Sequence, residues 1–132
     1  MEKFEITIPG KPQYITMVRL FTASIASVAG FDVECVDDIK NSISEACKLI
    51  SCHGQQGYSD KYTICCEMEN HFLEVTVIDD CDRQSLEKRE TLCKSCPNDG
   101  NLGIVVIKSL MNDVDYGMGE DGRKFVKMVK KL

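Results

Sequence analysis

The sequence predicts an α+β fold, a two-layer sandwich in which a mixed β-sheet carries its helices on one face. Three observations predict it. Segments alternating apolar and polar residues, as half-buried strands do, open and close the chain. Two long stretches place apolar residues at steps of three and four, as amphipathic helices do. A short, almost wholly apolar segment precedes the last pair of strands, and such a segment should be buried. The resulting order is β-α-α-β-β-loop-α-β-β, one sheet under one helical layer. Residues 1–132 read as a single domain, long enough for a core without obligatory cross-links.

Each element has its own signal. Residues 3–9 alternate Phe4, Ile6 and Ile8 with polar neighbours, and Gly10 and Pro12 end that strand. Residues 13–29 form the first helix, with Ile15, Val18, Leu20, Ala23, Ile25 and Val28 on a broad apolar face and Gly30 closing it. The second helix, residues 37–54, organises the chain: Val36, Ile39, Ile43, Ala46, Cys47 and Ile50 share one stripe. Asp37 and Asp38 are expected in its first turn, where carboxylates complement the helix dipole, and His53-Gly54 fits its end. Glu45 falls away from the stripe, and Leu49, one turn on, lies between the two.

Residues 54–60 have loop chemistry. Residues 62–67 and 72–78 form a hairpin around Glu69-Asn70, and its second strand runs into Asp79-Asp80-Cys81-Asp82. Residues 83–90 are strongly charged and suit a surface helix or a mobile segment, and residues 91–101 read as a loop. Residues 102–111 read as the short buried helix; the β-branched run Ile104 to Ile107 equally permits a strand, but Asn98-Asp99-Gly100 ahead of it suits a helix start. Residues 113–116 and 124–129 close the chain as a hairpin around Gly117 to Gly122.

The composition excludes some functions. A formal net charge of -5 gives no field that would attract nucleic acid. No apolar run approaches the roughly 18 residues of a membrane span, and the opening Met-Glu-Lys-Phe-Glu does not resemble a signal peptide, so the expected setting is the cytoplasm. Eight cysteines then read mainly as reduced packing residues, Cys47 and Cys65 among them, at apolar positions of periodic segments. Cys93 and Cys96, spaced as Cys-x-x-Cys, could join Cys81 in a zinc or thiol-redox site.

Three further places carry chemistry. Glu45 is a carboxylate backed by a packed helix. Asp79 at a strand end can accept a hydrogen bond from a base amino group or bind a cation. Gly100-Asn101-Leu102-Gly103 opens a helix, where bare backbone and free N–H groups favour phosphate. The pattern is neither a P-loop nor a Rossmann fingerprint.

In this order the three resemble the ATP-binding domain shared by gyrase-type ATPases and histidine kinases. Within it the chain is most similar to the anti-sigma-factor serine kinases of Gram-positive bacteria. Ser44-Glu45-Ala46-Cys47 with His53 matches that family's Ser-Glu-Ala-Cys-Thr-Asn helix followed by a His. Val77-Ile78-Asp79 matches the strand supplying the adenine-binding Asp. Gly100 to Ile104 with Leu110 to Val114 matches Gly-Gly-Leu-Gly-Leu…Leu-Met-Asp-Glu-Val, and the ending with Val126, Met128, Lys130 and Leu132 is looser.

The resemblance covers nearly the whole chain. It implies the histidine-kinase-like ATPase fold, with ATP and Mg²⁺ as cofactors and Glu45 as general base. It puts Asp79, Cys81, Gly100, Asn101, Leu102 and Gly103 at the nucleotide. It implies a sigma factor and a small antagonist protein phosphorylated on serine as partners, and leaves a homodimer open. Neither nucleic acid nor membrane is expected as a partner. The chain departs from the family at three positions: Leu49 replaces the Mg²⁺-binding Asn, Cys81 replaces a Gly, and Asn101 replaces a lid Gly. Leucine cannot ligate a hard cation, while Asn41, one turn before Glu45, is a candidate substitute. Three readings follow: a serine kinase that sequesters a sigma factor, a binding module on the same fold with weak or no ATP use, and the cysteine-based metal or redox protein.

Overall fold

The structure, a computed structural model, describes residues 1–50, 61–79, 97–119 and 122–132. Its elements in chain order are β1 (Glu2–Pro9), α1 (Pro12–Ala29), α2 (Val33–Leu49), β2 (Lys61–Glu69), β3 (Phe72–Asp79), α3 (Leu102–Leu110), β4 (Asp113–Met118) and β5 (Lys124–Lys131). The strands form one sheet in the order β1-β2-β3-β5-β4. The α+β class and the element order are as expected, with one correction. Every neighbouring pair is antiparallel, so the sheet is not mixed. The connections explain this. Among the described residues two helices lie between β1 and β2, and β2 starts at the end of the sheet where β1 finished. Among the described residues one helix lies between β3 and β4, a connection that would suit a parallel pair, but β5 inserts between them.

Local chemistry sets the helix ends. Pro12 stands at the first turn of α1, where its fixed φ is already helical and its missing N–H costs nothing. Gly30 ends α1 at φ 99°, a left-handed cap that other residues adopt at a cost. The Gly30 and Phe31 N–H groups then donate back to the Ser27 and Ala26 carbonyls. The Asp32 side chain caps α2 by accepting from the Cys35 N–H at 2.9 Å. This bond holds the Asp32 carboxyl below its ordinary value. The helix therefore starts earlier than the sequence predicts, which puts Glu34 in the first turn and Asp37 and Asp38 in the second. It ends at Leu49; His53 and Gly54 lie outside the described residues.

The core lies between the helices and one face of the sheet. Ile39, Ile43, Ala46, Cys47 and Ile50 of the α2 stripe are wholly buried, with Ile64, Cys66, Leu73, Val75, Val77, Val126 and Met128 from the strands. Fully burying each of the larger aliphatic side chains contributes about 1.5–3 kcal/mol. Burial pushes the thiols of Cys47 and Cys66 up to about 12, so both pack as neutral hydrophobes. Cys65 differs from its expected role. The register of β2 turns Tyr62, Ile64 and Cys66 to the helices, which leaves Cys65 on the opposite face, its thiol 3.4 Å from the Glu5 carboxylate.

That opposite face is polar, with ion pairs Lys3–Glu67 and Lys127–Glu74 at 3.3 Å. Exposed pairs of this kind add little stability but keep the face solvated. The segment from Leu102 is a helix, not a strand, and it is buried on one side only. Ile104 and Ile107 point inward, whereas Leu102 and Val105 are 77% and 52% exposed. Lys130 of β5 reaches through to Asp38 of α2 at 3.2 Å and to the Leu110 carbonyl that ends α3. Among the described residues, no helix is long and apolar enough to cross a membrane.

Candidate nucleotide site

The last turn of α2 meets the first turn of α3. Leu49 follows Glu45 by one turn on the same helix face. Its side chain lies on Gly103, so closely that a Cβ at position 103 would stand 3.0–3.1 Å from the Leu49 Cγ and both Cδ atoms. Without a Cβ at 103, the Leu49 side chain has room to lie on the first turn of α3.

The loop entering α3 is knotted to itself. Asn98 Oδ1 accepts from the Gly100 N–H at 2.8 Å, and Asn101 Oδ1 accepts from the Asn98 N–H at 2.7 Å. Asn101 has the extended backbone of an N-cap, but its side chain is spent backward on the loop and caps nothing in the helix. Among the described residues the opening amides of α3 therefore meet no side-chain acceptor. They carry the positive end of the helix dipole and suit an anion.

A second tie holds this loop to the sheet. The Tyr116 hydroxyl, from β4, donates to Asp99, and Lys108 of α3 donates to the same oxygen at 3.1 Å. The Tyr116 bond first, then the Lys108 bond, hold the Asp99 carboxyl below its ordinary 3.8. A lowered carboxyl pKa means that the tie contributes above the unfolded value and is lost as pH falls through the folded one. Tyr116→Phe should therefore move the Asp99 pKa up toward 3.8. A carboxyl-carbon NMR titration reads this directly, and an unmoved pKa would mean that the hydroxyl does not hold the loop in solution.

The other expected site residues are distributed as follows. Glu45 is half-buried and pairs with Lys48 at 3.8 Å. Arg19 of α1 donates to the Lys40 carbonyl at 3.1 Å and to the Ser44 hydroxyl, which fixes α2 at the residue before Glu45. Asp79 ends β3 opposite Tyr62, with 0% exposure. A hydrogen bond made there meets little competition from water. Asn41 is exposed and eight positions before Leu49, about 12 Å along the helix axis, so it cannot supply an oxygen where Leu49 stands. Cys81, Cys93 and Cys96 lie outside the described residues. A cavity of about 560 Å³ lies at the far end of β3 from Asp79, lined by Met1, Val28, Met68, His71 and Phe72. The Leu49–Gly103 contact and the Asp99–Tyr116 tie carry no sequence signal, because each joins segments distant along the chain.

The sequence profile of the histidine kinase-like ATPase domain matches residues 8–130. The chain belongs to this family. Its relatives include the serine-protein kinase RsbW of Bacillus cereus, 31% identical over 92% of this chain and 80% of the relative. The RsbW kinases of Listeria monocytogenes and Listeria innocua are 33% and 34% identical, each over 86% of this chain and 78% of theirs. A solved structure, the SiaB-SiaC complex from Pseudomonas aeruginosa, contains a chain of the same fold. It aligns at TM-score 0.60 over 98% of this chain and 89% of that one, with 12% identity. The family implies ATP, with Mg²⁺ typical. The open amides of α3 suit the phosphates of such a ligand; the hydrocarbon of Leu49 does not suit the metal.

Proposed function

We propose that the chain is an anti-sigma-factor-like regulatory protein of the serine-kinase type. Residues 1–132 act as one ATP-binding domain in the cytoplasm, where the protein sequesters a sigma factor and acts on a small antagonist protein. The observation that carries this reading is the contact of Leu49, one turn after Glu45 on α2, with Gly103 in the first turn of α3, whose opening amides Asn101 does not cap.

Each residue has a role in it. The Asp79 carboxylate accepts from the adenine amino group, as expected of the matched strand motif. The backbone from Gly100 to Gly103 receives the phosphates, with Cys81 beside the base by its place in the motif. Glu45 takes the proton of the antagonist's serine hydroxyl as general base. Bound ATP supplies the phosphoryl group, and positioning that group is most of the catalysis in this chemistry.

A second reading has its own support. Leu49 occupies the place of a metal ligand, which favours a binding module with little transfer. Both readings predict a specific protein partner. Capture from the native cytosol, followed by a phosphoserine assay on the captured antagonist with labelled ATP, tests them together. The expected result is a stable complex with a sigma factor or its antagonist and only weak phosphorylation, removed by Glu45→Gln. Strong phosphorylation would favour the full kinase; recovery of DNA alone would end the regulatory reading. Metal analysis of the purified protein separates both from a site built on Cys81, Cys93 and Cys96.

A further inference from the structure

The fit of Mg²⁺ can be judged residue by residue around the first turn of α3. A hard divalent cation of this size takes oxygen ligands at about 2.0–2.1 Å in near-octahedral order. The position nearest the helix start on α2 is Leu49, and its methyl groups fill the space over Gly103. In the described part of the adjoining loop, the oxygen-bearing side chains are already engaged. Asn98 and Asn101 bond the loop's own N–H groups, and Asp99 is held by Tyr116 and Lys108. Glu45, one turn from Leu49, has the Lys48 ammonium beside it, so a cation stands there already. Asn41 is out of reach, as shown above. By contrast, the α3 amides meet no side-chain acceptor among the described residues, which suits an anion.

From this arrangement we infer that the site holds an adenine nucleotide through its phosphate anion alone and offers Mg²⁺ no ligand of its own, with Leu49 as the residue that withholds it. The phosphates are held by backbone N–H groups at the positive end of α3. An apolar wall stands where the family's metal ligand would be. The inference rests on the nucleotide reading proposed above and specifies that the metal adds nothing to the affinity. It also gives the Leu49–Gly103 pair a function: the bare glycine leaves room for the leucine at the metal position.

The test is isothermal calorimetry of ATP against the whole chain, once with Mg²⁺ and once with EDTA. A metal that adds to nucleotide affinity appears as a coupling between the two ligands, so its absence means that the two Kd values agree within about twofold. Leu49→Asn restores an oxygen at this position and should make binding about tenfold tighter in Mg²⁺ than in EDTA. Leu49→Ala opens the same space without supplying an oxygen and should stay insensitive to the metal, which separates ligation from simple room. Wild-type binding tenfold or more tighter in Mg²⁺ overturns the inference, on the scale of about 1.4 kcal/mol per tenfold. A Leu49→Asn variant that is folded by circular dichroism yet gains no metal dependence overturns the assignment to Leu49. If that variant fails to fold, the wild-type comparison decides alone. No heat of binding in either buffer overturns the nucleotide reading, and this inference with it.

Discussion

Asp79→Ala should weaken adenine-nucleotide binding by about ten- to a hundredfold, the equivalent of roughly 1.5–3 kcal/mol for a hydrogen bond to a charged group. The residue ends β3 and is wholly buried. Few waters compete there for a bond to its carboxylate, so the bond is worth more than at the surface. The same burial makes alanine an imperfect probe, because it leaves a void as well as removing an acceptor. Asp79→Asn corrects for this. It keeps the volume and one acceptor oxygen while removing the charge and turning the other oxygen into an N–H donor, so affinity should fall in the order wild type, Asn, Ala. Calorimetry on variants with unchanged circular dichroism measures the series. Equal affinities across all three would show that the base does not meet Asp79.

Ile43→Ala should cost about 2–5 kcal/mol of folding stability, as buried aliphatic truncations do. Ile43 is wholly buried in the middle of α2, within the cluster that joins that helix to the sheet. Domains have only about 5–15 kcal/mol in total, so this one change removes a large share. Ile43→Val, which deletes a single methylene, should cost about 0.5–1.5 kcal/mol. Urea titrations followed by far-UV circular dichroism read both. Ile43 lies two positions before Glu45, so a partial loss of packing here also loosens the proposed base. Ala and Val variants with the same midpoint would mean that the α2 stripe does not carry the core.

Much of the fold could be read from local pattern. The spacing of Ile39, Ile43, Ala46, Cys47 and Ile50 records which face of α2 is apolar, and all five are buried. Gly30 ended α1 as predicted, because a left-handed residue is a local requirement. The alternation of Leu73, Val75 and Val77 likewise gave the inward face of β3. Where the pattern was ambiguous, errors were small and local. The start of α2 was misplaced because Asp32 supplies the cap, which puts Asp37 and Asp38 in the second turn and not the first. Cys65 was read as a core residue because two adjacent cysteines differ only in the parity of the strand, and one step of register exchanges the faces.

Periodicity records that a surface is apolar or a carboxylate exposed; it does not record what comes to lie against either. Leu49 was visible in the sequence as a missing ligand, but its contact with Gly103 came only from packing α2 against α3. Asp99 looked like part of a turn, and its bond to Tyr116 across 17 positions depends on where β4 lands. The antiparallel sheet depends on β5 entering between β3 and β4, a choice that no single segment encodes. The physical reason is the same in each case. Helix and strand signals arise from neighbours within a few residues, whereas the groups that close or open a site meet through long-range packing, where the covering element sets the chemistry.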